Sequence, residues 1–137
     1  MAAGDPKDAP SFEASPPVLE SVDLSIDTPV FTPEIAGGES AAFDEYRCFH
    51  FENQHSAEVF LTGYHVTPGN AALVHHATVY AVDFSAPSWI EGVTNGDLIG
   101  AYQAVEEERE GWPCFGAAGD GVRHDNIPAI WAPGQGA

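Results

Sequence analysis

Ala72-Leu73-Val74-His75-His76-Ala77-Thr78-Val79-Tyr80-Ala81-Val82 is the stretch that decides the fold. Its β-branched and aromatic content marks a buried strand, extending from Ala71 to Phe84, and Pro68-Gly69-Asn70 marks a turn just before it. Neighbouring side chains on a strand alternate faces, so His75 and His76 point apart unless the strand sits at an edge or a local twist. A core strand has no need of two imidazoles, whose ring nitrogens want partners once water is excluded. Neutral imidazole is the commonest metal ligand, and copper, zinc and iron all accept it. The competing reading is one exposed histidine and one hydrogen-bonded core histidine, the commoner case for an arbitrary pair.

Working outward, residues 1–17 are rich in Pro, Ala, Ser and acidic residues and read as a flexible tether. The expected division is a tether over 1–30 and one β domain over 31–137. Val22, Leu24 and Ile26 alternate weakly within Val18–Thr32, compatible with one or two edge strands, and Gly37-Gly38-Glu39-Ser40 reads as a loop. Strands are expected over Tyr46–Phe51 and Glu58–Val66. Asn95-Gly96-Asp97 offers a helix start, with Leu98, Ile99, Tyr102 and Val105 at helical spacing and Gly111 as the stop. The remainder, with Gly116, Gly119, Gly121, Pro128 and Pro133, reads as loop.

Four Lys and Arg stand against twenty-one Asp and Glu, a net charge of −17 that makes nucleic acid and anionic membrane surfaces poor partners. The run Glu106-Glu107-Glu108 reads as a solvated helix face, since adjacent helix positions diverge too much to share a metal. A hydrophobic fraction of 44% and fifteen aromatics suffice for one folded core. No stretch has the length of a membrane span, and Met1-Ala2-Ala3-Gly4-Asp5-Pro6 lacks the basic and apolar regions of a secretory signal. No Ser-His-Asp or Cys-His order supports a hydrolase, and no Gly-rich phosphate loop is present. Cys48 and Cys114 form no C-x-x-C pattern, and on their own could be free core thiols.

The order of short motifs is more specific than any one of them. Asp44-Glu45-Tyr46-Arg47-Cys48-Phe49, Val59-Phe60-Leu61-Thr62-Gly63-Tyr64, Pro68-Gly69-Asn70 and Val74-His75-His76 follow at short intervals. Gly111-Trp112-Pro113-Cys114-Phe115-Gly116 and Trp131-Ala132-Pro133-Gly134 come later. This series, over roughly residues 40–137, resembles the amino-terminal domain of the copper type II, ascorbate-dependent monooxygenases, in its bacterial form. The family includes peptidylglycine α-hydroxylating and dopamine β-monooxygenases.

The resemblance implies an all-β fold, an antiparallel β-sandwich that is jelly-roll-like and partial, with one short helix near 97–110. Alternating strands separated by turn signals point the same way. It implies copper as cofactor, with His75 and His76 as two of three imidazole ligands, and ascorbate as electron donor in the complete enzyme. It also implies a disulfide between Cys48 and Cys114, a secreted or periplasmic location, and oxidising surroundings. The third imidazole of the family lies in a later strand resembling Gln-Val-His-Tyr, and a second domain supplies a His-x-His pair and a methionine. This chain therefore matches the front portion of the first domain, and hydroxylation by this chain alone is not expected. Self-association or a missing C-terminal partner would cover the apolar strand surface of a partial sandwich. His65 and His124 are candidate substitute ligands, with solvent exposure the more frequent fate, and His50 and His55 read as surface residues. A non-catalytic copper-binding module and a β-sandwich interaction module are the alternatives.

Overall fold

The computed structural model describes residues 19–34, 44–115 and 117–133. The tether over 1–17 and the loop at Gly37–Ser40 lie outside the described residues, as do Gly116 and Gly134. Within them the chain forms four strands and one helix: β1 (Arg47–Cys48), β2 (Ala77–Ala81), α1 (Asn95–Gln103), β3 (Trp112–Pro113) and β4 (Asn126–Trp131). The strands make two antiparallel two-stranded sheets, β1 with β3 and β2 with β4. The fold is a small β-rich one with a single short helix. No helix among the described residues is long and apolar enough to cross a membrane.

The β2–β4 ladder starts at Ala77 opposite Trp131 and runs through Thr78–Ile130 and Val79–Ala129 to Ala81–Asn126. Two steps on β2 therefore oppose three on β4, so one extra residue bulges out of β4 in the interval that contains Pro128. A bulge is where a strand tolerates proline, which has no N–H for the ladder. The sequence pattern had assigned this segment to loop.

The central strand is shorter than its apolar run. Leu73 and Val74 both donate to the Asn70 carbonyl at 3.0 Å, and Ala72 donates to the Asn70 side chain at 3.1 Å. That Asx-type turn consumes residues 70–74, so pairing begins only after the histidines. Glu58–Val66 forms no strand either: residues 51–65 are all exposed. The Tyr64 hydroxyl reaches β4, donating to the Ile130 carbonyl at 2.8 Å and accepting from the Ile130 N–H at 3.4 Å. Residues 19–34 likewise form no strand and touch the body through side chains, such as Phe31 against Phe49 at 5.5 Å, and through the Glu34 N–H and Thr32 carbonyl, which bond Glu45 and Arg109.

Helix α1 opens with a capping box. Thr94 Oγ1 accepts from the Asp97 N–H at 3.1 Å, and the Asp97 carboxylate accepts from the Thr94 N–H at 3.0 Å. The hydrogen bonds from Thr94 hold the Asp97 carboxyl below its ordinary range. The helix stops at Gln103, not near 110. Gly111 instead turns the chain into β3 with φ 77°, where a Cβ would collide with the Cys48 carbonyl.

The core gathers around this helix: Ile99, Trp112, Ala118 and Val122 are buried, with Tyr80, Val82, Phe84, Leu98 and Tyr102 packed against them. Trp112 donates its indole N–H to the Ala118 carbonyl at 2.9 Å. Asn95, 1% exposed, joins the two halves. Its amide donates to the carbonyls of Asp83 (2.9 Å) and Arg123 (2.8 Å) and accepts from the Arg123 N–H (2.8 Å). The chain leaving β2 and the chain entering β4 are thus held by one side chain.

Candidate metal centre

His75 and His76 follow the Asn70 turn and directly precede β2, and both are exposed. The expectation of a buried strand around them is corrected by that position. Outside the ladder, adjacent side chains are released from strict alternation, and the two rings converge. Their Nδ1 atoms lie 3.4 Å apart, with ring centroids at 5.4 Å and planes at 67°. A hydrogen bond across that distance requires one ring to carry its proton on Nδ1 and the other to leave its Nδ1 bare, so it depends on the tautomers.

That spacing also fits a shared metal. An ion about 2.0 Å from each nitrogen would see them at roughly 115°, within the range of trigonal and tetrahedral coordination. The distance alone permits both nitrogens to reach one ion. No third ligand joins it: among the described residues no group of three or more His, Cys, Asp or Glu is placed to hold a metal ion.

The other histidines have different surroundings. His65 is exposed, and so is His55, whose backbone N–H bonds the Asn53 side chain at 3.0 Å. His50 is exposed, lies over Phe84 at 4.3 Å and lines a shallow groove with Pro29, Phe49 and Glu110. His124 is half-buried, its ring edge-on to Tyr80 at 5.0 Å. Its Nδ1 meets no hydrogen-bond partner among the described residues.

Two aromatic residues to which the sequence analysis gave no role in the site extend outward from the pair. Tyr46 packs on His76 with centroids 5.6 Å apart, and Phe115 meets Tyr46 edge-on at 4.9 Å. Both adjoin the disulfide. Cys48 and Cys114 are bonded, and the Cys114 N–H donates to the Tyr46 carbonyl at 3.0 Å. The signal was available, since each cysteine carries an aromatic residue within two positions.

Behind β1 lies a charged cluster. Arg47, with its side chain 1% exposed, reaches Glu106 at 2.7 Å and Glu45 at 3.5 Å, and its Nε donates to the Glu110 carbonyl at 2.6 Å. Arg109 reaches Glu45 at 2.8 Å, Glu106 at 3.3 Å and Glu34 at 3.8 Å. Glu106 was expected on a solvated helix face. It lies past the helix end and is paired, because both arginines converge on the turn it occupies. The hydrogen bond from Arg47, aided by the charges of both arginines, holds its carboxyl below the ordinary range. Burial pushes the Glu45 carboxyl up, but hydrogen bonds from Arg109 and the Glu34 N–H, with both arginine charges, outweigh it and leave it lowered. This cluster fixes β1, and with it Tyr46, against the turn before β3.

No family model matches the chain, and no curated protein or solved structure matches it.

Proposed function

We propose that this chain is the copper-binding β domain of an ascorbate-dependent copper monooxygenase, with His75 and His76 as ligands of its electron-relay copper. The observation that carries the reading is the convergence of the two Nδ1 atoms to 3.4 Å on one side of the chain. It stands beside the motif series that resembles that family. Bound copper would supply a one-electron relay between ascorbate and the hydroxylating centre of the complete enzyme. His75 and His76 would hold the ion: two imidazoles suffice for two-coordinate Cu(I), while Cu(II) would want water or another ligand beside them.

The finer architecture belongs to the same proposal. The two small sheets would be the start of a jelly-roll-like β-sandwich, completed by a C-terminal segment or by a second copy. Exposed Val59, Phe60 and Leu61 are apolar surface that such a completion could cover. The disulfide supports placement in a secreted or periplasmic compartment. A second reading is favoured by one observation, the lack of a third ligand among the described residues: a copper-binding module without catalysis of its own.

Titration with Cu(I) under a competing chelator tests the metal site. The parent should bind one equivalent, and the His75→Ala/His76→Ala variant should lose tight binding. His50→Ala, His55→Ala, His65→Ala and His124→Ala should change little. Equal binding by the double variant and the parent removes copper from the reading and leaves a β-rich interaction module.

A further inference from the structure

We infer that Tyr46 and Phe115, locked in place by the Cys48–Cys114 bond, are positioning residues that brace His76 and so set how tightly the His75–His76 pair grips a metal ion. The inference rests on the metal reading above and goes beyond it by assigning work to residues that carry no ligand atom in the pair.

The contacts form one continuous chain. The disulfide ties β1 to the residue after β3, and the Cys114 N–H bonds the Tyr46 carbonyl at 3.0 Å. Phe115 then stands edge-on against the Tyr46 ring at 4.9 Å, and that ring packs on His76 at 5.6 Å. His76 faces His75 across 3.4 Å.

The brace matters because little else constrains the pair. Both histidines are exposed and lie outside the β2–β4 ladder, so the ladder does not fix their rings. A two-ligand site gains affinity only when both rings are held in the chelating arrangement before the metal arrives, since ordering exposed side chains costs free energy at binding. In metal sites generally, groups packed around the ligands orient them, and their removal weakens binding by about 10- to 100-fold. Here the Tyr46 ring is the group against His76. Phe115 is 74% exposed, so its contact with Tyr46 is not explained by core packing.

The experiment uses the full chain and Cu(I) against a competing chelator, alongside nuclear magnetic resonance of the histidine rings without metal. Tyr46→Ala and Phe115→Ala should each weaken binding by about tenfold. Tyr46→Phe keeps the ring and should bind as the parent does. Without metal, Tyr46→Ala should shift the His76 ring signals while leaving those of His50 and His55 in place. The Cys48→Ser/Cys114→Ser variant, which supplies no thiols to compete for Cu(I), should weaken binding at a temperature where it remains folded. Phe115→Ala controls for folding, because truncating an exposed ring leaves the core intact.

Unchanged affinity in both Tyr46→Ala and Phe115→Ala, with parental binding dependent on His75 and His76, overturns the brace and leaves the metal reading standing. Absence of copper binding by the parent overturns both. Loss of affinity in Tyr46→Phe equal to that in Tyr46→Ala also overturns the brace, since it places the effect in the hydroxyl.

Discussion

Residues 88–125 and residues 51–66 make an informative pair. Both are rich in apolar side chains, yet the first buries Ile99, Trp112, Ala118 and Val122, while the second leaves Phe60 85% and Leu61 60% exposed. The difference lies in closing devices. The first segment has a capping box, an asparagine joining two backbone segments, an indole bonded to a nearby carbonyl and a disulfide that ties it to β1. The second has a tyrosine hydroxyl reaching β4. Apolar content supplies a driving force for burial, but the chain packs where polar backbone groups also find partners.

Removing the crosslink should break the comparison most. Cys48→Ser/Cys114→Ser opens a loop with a sequence separation of 66 residues, and chain-entropy arguments put the loss at about 4 kcal/mol. Denaturant titration of parent and variant reads it directly, and a midpoint shift too small to resolve would place the disulfide outside the cooperative unit. Asn95→Ala comes next. It leaves the Asp83 and Arg123 carbonyls and the Arg123 N–H without their partner, and should lose about 3 kcal/mol in the same titration. If it costs no more than a surface change, the two halves are not joined through this side chain.

The charged cluster gives a smaller, pH-dependent effect. The Glu106 carboxyl, held down first by the Arg47 hydrogen bond, has a folded value below its ordinary 4.5. The unfolded chain therefore takes up its proton first, and the stabilisation is complete above that value and fades as pH falls through the folded one. Melting temperatures followed downward from neutral pH should fall more steeply below pH 4.5 for the parent than for Glu106→Gln. Parallel profiles would mean that the pairing adds nothing to stability. Phe60→Ser should change stability least, within about 0.5 kcal/mol. A loss comparable with that of Asn95→Ala would show that the extended segment is packed in solution after all.

What was legible in the sequence follows the same division. The helix start was readable because Asn95-Gly96-Asp97 carries local capping chemistry, although the cap itself is Thr94. The strand at Ala77–Ala81 was readable from its composition. Its early boundary was not, because the Asn70 side chain competes with the ladder for residues 70–74. The pairing of Cys48 with Cys114 came only with the family resemblance, the two positions alone being equally open to free thiols. Strand β4 was hidden by Pro128, which a bulge accommodates, and a bulge is a property of two strands together. The pairings of Arg47 with Glu106 and of Arg109 with Glu45 join residues about sixty positions apart, and nothing in local spacing announces them. Of the candidate site, the histidine pair was visible as adjacent residues, and its convergence was not.

The outer side of β4 bears on how this chain behaves in crowded solution. Ile127-Pro128-Ala129-Ile130-Trp131 is an uncharged, apolar stretch at the rim of a two-stranded sheet, and Pro128 alone takes it out of the composition from which fibrils grow by edge-to-edge addition. Proline withholds one donor from any incoming strand, and the Tyr64 hydroxyl already engages both backbone groups of Ile130. A single side chain from the otherwise open segment thus serves as a gatekeeper, blunting a template for aggregation without adding a strand of its own.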